Sequence, residues 1–112
     1  MTKEAPEINV SVTFRHTEST PALTDYALEK VTHCVSKYVA SSTTVHVVLS
    51  VEKRDHVAEV NVHSKGHDAS CKASTGDLYS AIDKVVDNLE ALLRKQKEKL
   101  LTLKHQGAAP QQ

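Results

Sequence analysis

The 112-residue sequence has no tryptophan, one phenylalanine and three tyrosines. A core built from such a chain has to rely on Val, Leu, Ile and Ala. The scarcity of rings also argues against a platform that stacks bases of single-stranded nucleic acid. Two cysteines, Cys34 and Cys71, are too few for a disulfide framework. Three glycines leave no room for a phosphate loop or a nucleophile elbow. Ser, His and Asp are plentiful, but none lies in such a setting, and no carboxylate pair stands in an apolar one. The expectation is a protein that is not an enzyme and needs no cofactor. No apolar run approaches the roughly 20 residues that cross a bilayer. The start "MTKEAPEINV" has no apolar signal region. These features predict a cytoplasmic chain without membrane contact. The net charge is zero, so bulk charge does not point to nucleic acid.

What is present is a clear change of period along one chain, which predicts a single domain over residues 1–106 and a flexible tail over 107–112. In "EINVSVTF" Ile8, Val10, Val12 and Phe14 alternate with polar residues, the mark of a half-buried strand. From Leu23 to Tyr38 the apolar spacing becomes helical, with Thr20 as N-cap and Pro21 at the first helical position. "SSTT" interrupts. "VHVVLSVEK" and "VAEVNVHS" alternate again around a turn at "RDH", and "ASCKAS" follows a turn at "KGHD", where Gly66 can supply positive φ. A long helix then opens at "TGDLYSAID", with Ser74 and Asp77 at capping-box spacing. The order β-α-β-β-β-α is α+β. It predicts a parallel first pair, an antiparallel meander and two helices on one face of a four-stranded mixed sheet. His46, Ser50, Glu52, Glu59, Asn61, His63, Ser70 and Lys72 would form the wet face. Cys34 and Cys71 point inward, as small core residues rather than nucleophiles.

Charge is distributed unevenly. Residues 94–104 carry five cations and one anion, so the rest of the chain is acidic. On a helical wheel the last helix has an apolar stripe through Leu78, Ile82, Val85, Val86, Leu89, Leu92 and Leu93. Asp83, Asp87 and Glu90 form an acidic row. Lys84, Asn88, Ala91, Lys95 and Lys99 line one edge, advancing by three or four residues. Arg94 and Lys97 lie outside that edge. Cations near a helix C-terminus offset the macrodipole by about 0.3–1 kcal/mol each, so a solvated face explains them. A surface for nucleic acid or for an acidic protein explains them too.

"VVLSVEK", "AEVNVH" and "GDLYSAIDKVVDNLEALLRKQKEKL" resemble the ribosome hibernation promoting factor and protein Y family, over about residues 7–104. The resemblance implies the same β-α-β-β-β-α fold, similar in layout to a double-stranded-RNA-binding domain, and places this chain with the short members. It implies binding to the small ribosomal subunit and its 16S-type rRNA within the 70S ribosome. There it would compete with mRNA and tRNA and inhibit translation in stress or stationary phase. It also implies a monomer off the ribosome. The rRNA-binding residues it indicates are Lys84, Lys95 and Lys99, with Arg94 and Lys97, and on the first helix Lys30, Lys37 and His33. Asn88, Ala91 and Thr24 stand where the family is usually basic, so the footprint is thinner here.

Other readings compete less well. His63, His67, Asp68 and Cys71 could be gathered by a tight turn, but His63 points outward and Cys71 inward, so no metal site is expected. Histidines 16, 33, 46, 56 and 63 could instead make RNA affinity rise as pH falls. A double-stranded-RNA module acting on another RNA would need a longer reading loop than "RDH" and a less acidic start to the last helix. A regulator that grips an acidic protein through Arg94–Lys99 is the remaining alternative.

Overall fold

The alternating segments form strands and the helical segments form helices. The computed structural model describes residues 7–65 and 67–105; Gly66 and the expected tail at 107–112 lie outside these. The elements are β1 (Ile8–Arg15), α1 (Pro21–Ser36), β2 (Thr43–Glu52), β3 (Asp55–Ser64), β4 (His67–Thr75) and α2 (Leu78–His105). The sheet order is β1-β2-β3-β4. β1 is parallel to β2, and the other two pairings are antiparallel. This is the α+β arrangement that the sequence predicts.

Three local expectations are corrected. Thr43 and Thr44 belong to β2, paired with Ile8 and Asn9, instead of breaking the pattern. Thr43 can point inward because its hydroxyl donates to the Ser41 carbonyl at 2.8 Å and lies 3.0 Å from Ser64 Oγ, whose hydroxyl can donate in return, which satisfies a buried polar group. The turn expected at "RDH" is the two residues Lys53 and Arg54, because Asp55 and His56 continue the ladder opposite Glu52 and Val51. Lys53 takes φ 59° there. The Ser74–Asp77 capping box does not form. Ser74 pairs with Val57 inside β4, and Asp77 itself caps α2. Its carboxylate accepts from the Ser80 N–H and hydroxyl, both at 2.8 Å, which lowers its pKa. At α1 the cap is the expected one: Thr20 Oγ1 accepts from the Leu23 N–H at 3.1 Å.

Both helices bury their apolar stripes on the same sheet face. Val45, Val47 and Leu49 of β2 and Ala58, Val60 and Val62 of β3 lie beneath Ala27, Val31 and Val35 of α1 and Ile82, Val85 and Leu89 of α2. Each large apolar side chain buried there contributes about 1.5–3 kcal/mol. Small residues at Ala58, Ala69, Ala73 and Ala81 let α2 lie close to β3 and β4. Tyr26 meets Tyr79 and Asp83, Cys34 meets Val86, and Lys37 and Tyr38 meet Glu90. Contacts that advance together along both helices make α1 and α2 parallel.

The other sheet face is largely polar. His46, Glu52, His63, Ser70 and Lys72 are exposed. Ser50 is an exception, at 8% exposure, and the half-buried Val48 and Val57 share its surroundings.

Candidate functional site

α2 spans 28 residues, about 42 Å at 1.5 Å per residue. Its apolar stripe is pinned to β3 and β4, which fixes the direction of every other side chain on it. One flank faces α1. The opposite flank carries Lys84, Asn88, Ala91, Lys95 and Lys99, all exposed. Among the described residues none of these three lysines has an ion-pair partner. They form the row that the wheel predicts, with Lys95 and Lys99 about 6 Å apart along the axis.

The flank facing α1 behaves differently. The acidic residues Asp83 and Glu90 are not merely solvated there; they meet Lys30 of α1 and Lys37, its C-cap. Lys30 Nζ lies 3.6 Å from Asp83 Oδ1, and the Tyr26 hydroxyl donates to the same oxygen at 2.6 Å. Lys37 Nζ donates to Glu90 Oε2 at 2.6 Å, and the Tyr38 hydroxyl does so at 2.9 Å. Arg94, one turn further along α2, stands 3.7 Å from the same oxygen. The Lys37 and Tyr38 hydrogen bonds hold the Glu90 carboxyl below its ordinary range. In return Glu90 raises the Lys37 pKa. Lys97 reaches over the Tyr38 ring at 5.9 Å, a cation–π contact.

The eight basic positions singled out in the sequence therefore fall into distinct settings. Lys84, Lys95 and Lys99 form an open row. Lys30, Lys37 and Arg94 are ion-paired to α2 acids, Lys97 is held over a ring, and His33 is exposed on α1. The paired cations remain at the surface, with side chains 42–56% exposed, but their charge is largely balanced. Sequence reasoning missed Glu90 as an organising residue. The i,i+4 spacing of Glu90 and Arg94 was a local signal of one contact; the reach from α1 had none.

Other clusters have local explanations. His63 Nδ1 and Asp68 Oδ1 lie 3.2 Å apart across the β3–β4 ladder. Cys71 sits against the core side of the sheet, so the structure does not bring it to them. Cys34 is buried, and burial pushes its thiol up to about 11, far from the thiolate a nucleophile needs. Ser11 Oγ and His46 Nδ1 lie 2.9 Å apart, joining β1 to β2 on the open sheet face. No carboxylate is hydrogen-bonded to His46 among the described residues. No helix among them is long and apolar enough to cross a membrane.

Comparison with known proteins is consistent over the sequence and the fold. The model of the family described as Sigma 54 modulation protein / S30EA ribosomal protein matches residues 10–101. The ribosome hibernation promoting factor of Pseudomonas putida KT2440 is 36% identical over 102 residues, which cover 91% of this chain and 98% of that one. That of Escherichia coli K12 is 32% identical over 93 residues, 83% of this chain and 97% of that one. Among solved structures, the Thermus thermophilus Protein Y N-terminal domain matches with a TM-score of 0.70 and 30% identity, over 80% of this chain and 97% of that one. A ribosomal subunit interface protein from Coxiella burnetii has a TM-score of 0.72 over 80% of this chain and 98% of that one. At 21% identity it supports the fold alone.

Proposed function

The chain belongs to the Sigma 54 modulation protein / S30EA ribosomal protein family, and from that premise we propose that it is a ribosome hibernation factor. In this reading it binds the small ribosomal subunit in the mRNA and tRNA channel, in the cytoplasm, and inhibits translation during stress or stationary phase. The observation that carries the reading is the row Lys84, Lys95 and Lys99 on a flank of α2, with no acid paired to it among the described residues.

The mechanism is occlusion. A rigid domain that fills the decoding channel excludes mRNA and tRNA without any bond being made or broken. Phosphate contacts from the α2 row position it, and such contacts do not read sequence. Folded rRNA presents shape and a few exposed bases, which suits a protein poor in aromatics. Lys30, Lys37, His33, Arg94 and Lys97 supply a second set of contacts along the α1–α2 surface. The Asp83 and Glu90 pairings weaken the contribution of Lys30, Lys37 and Arg94 until rRNA phosphates displace those carboxylates.

Co-sedimentation of the purified protein with isolated small subunits, over a salt series and with competing tRNA, tests the proposal. Saturable binding that tRNA displaces and salt weakens is expected. Replacing Lys84, Lys95 and Lys99 with Glu should abolish it while leaving the circular dichroism spectrum unchanged. Loss of three phosphate contacts alone should flatten the log–log salt slope by about 2–3. Undiminished binding by the triple variant would reject the α2 row as the contact surface. No binding by the parent chain at low salt would reject the hibernation reading.

A further inference from the structure

β1 lies at the edge of the sheet, and among the described residues its outer side is open. The Glu7 carbonyl accepts from the Thr43 N–H at 2.9 Å, so the peptide groups of positions 7, 9, 11, 13 and 15 face β2. By the alternation of a strand, those of Ile8, Val10, Val12 and Phe14 face away. Among the described residues no backbone group meets them. Natural edge strands are usually blunted by a lysine, a proline or a bulge. From Ile8 to Phe14 there is no charge and no proline, and the pairing with β2 runs without interruption. The side chains of Ile8, Val10, Val12 and Phe14 are only half-buried, whereas their neighbours Val45, Val47 and Leu49 on β2 are at most 1% exposed. On the flank of α1 turned from α2, Thr24, Leu28 and Thr32 are uncharged and half-buried.

We propose that this edge pairs with the same edge of a second copy, antiparallel, about a twofold axis through Ser11. The partner follows from the pattern of the strand. Only the even-numbered positions can form hydrogen-bonded pairs across this edge. An axis at Ser11 pairs Ile8 with Phe14 and Val10 with Val12, which uses every free rung. It also sets Glu7 of each copy opposite Arg15 of the other, and Asn9 opposite Thr13. An axis at Val10 or Val12 loses rungs and separates Glu7 from Arg15. The two open apolar rows then close on each other beneath the Thr24, Leu28 and Thr32 positions of the two α1 helices. The product is a continuous eight-stranded sheet with the Lys84–Lys95–Lys99 rows at its two outer ends. Pairing and the proposed RNA contact therefore use opposite sides of the fold. This self-association departs from the monomer that family resemblance implies.

Sedimentation velocity on the full chain over a concentration series tests the pairing. A reversible monomer–dimer equilibrium is expected. Val12→Pro removes an N–H that points away from β2, a position where an edge strand accepts proline. It should leave the fold and small-subunit co-sedimentation intact and abolish the dimer. Arg15→Glu should weaken association about tenfold, by replacing two symmetry-related opposite-charge pairs with like charges. Adding Glu7→Arg to it should restore the parent value. A chain that stays monomeric throughout the series overturns the proposal and leaves the edge to a strand of another protein. So does a dimer indifferent to the charge reversal, or a double variant that fails to recover. If Val12→Pro does not fold, the charge-swap set decides alone.

Discussion

Lys37 and Glu90 meet at 2.6 Å across the seam between the two helices. One belongs to the basic set of α1 and the other to the acidic row of α2, so the row serves to position cations. Glu90→Gln should release both Lys37 and Arg94. We expect tighter small-subunit binding at low salt and a steeper salt slope. The fold should lose only a little stability, because the Lys37 and Glu90 side chains are 42% and 25% exposed and water screens the pair. Co-sedimentation and urea unfolding of the same variant would show the two effects moving in opposite directions.

The same carboxylate makes the fold sensitive to acid. Hydrogen bonds from Lys37 and Tyr38 lower the Glu90 pKa, and Ser80 lowers that of Asp77. A carboxylate with a lowered folded value stabilises the fold fully above its unfolded value, near pH 4. That stability is lost as pH falls through the folded value. Thermal midpoints should therefore be flat from pH 7 to about 5 and fall below pH 4. Glu90→Gln with Asp77→Asn should show a shallower acid decline than the parent chain. An equal decline in both would assign the acid sensitivity to other groups.

Asn88 and Ala91 interrupt an otherwise cationic flank and are both exposed. Lysine is a good helix former, so Asn88→Lys with Ala91→Lys should leave the helix intact. Binding to small subunits should tighten, and the log–log salt slope should steepen by about 1.5 for two added phosphate contacts. An unchanged slope would mean that this part of the flank does not reach RNA.

Lys53 holds φ at 59° in the β2–β3 turn. A residue with a Cβ is strained there by about 1–2 kcal/mol. Glycine removes the strain but adds back roughly 0.5–1 kcal/mol of chain entropy. Lys53→Gly should thus stabilise the protein by about 0.5 kcal/mol, a rise in Tm of about 2–4 °C for a domain of this size. Differential scanning calorimetry would measure it.

The strand and helix order was legible because each element carries its own period. Ile8, Val10, Val12 and Phe14 alternate, and Val31, Val35, Ile82, Val85 and Leu89 recur at helical spacing. The Thr20 cap was legible too, since Pro21 marks the residue before it. Features set by a neighbour were not. Thr43 reads as a loop residue until β1 and Ser64 are in place beside it. Asp55 reads as a turn residue until the ladder register demands its partner Glu52. The cation row on α2 could be drawn from the wheel, because it is a property of one helix. The use of Asp83 and Glu90 as partners for Lys30 and Lys37 could not, because it depends on two helices packing parallel.

The crossover that joins β1 to β2 also has a consequence for folding. Val12 pairs with Val47, a contact that must close a long loop, while a two-residue turn connects β2 to β3, and β4 begins at His67, close after the end of β3 at Ser64. Closing short loops sacrifices less chain entropy than closing long ones, and local contacts form fastest. The meander with α2 packed on it is therefore expected to be the nucleus, and β1 to dock last. Made first on the ribosome, β1 then waits longest for its place, so mutations in it should speed unfolding more than they slow folding.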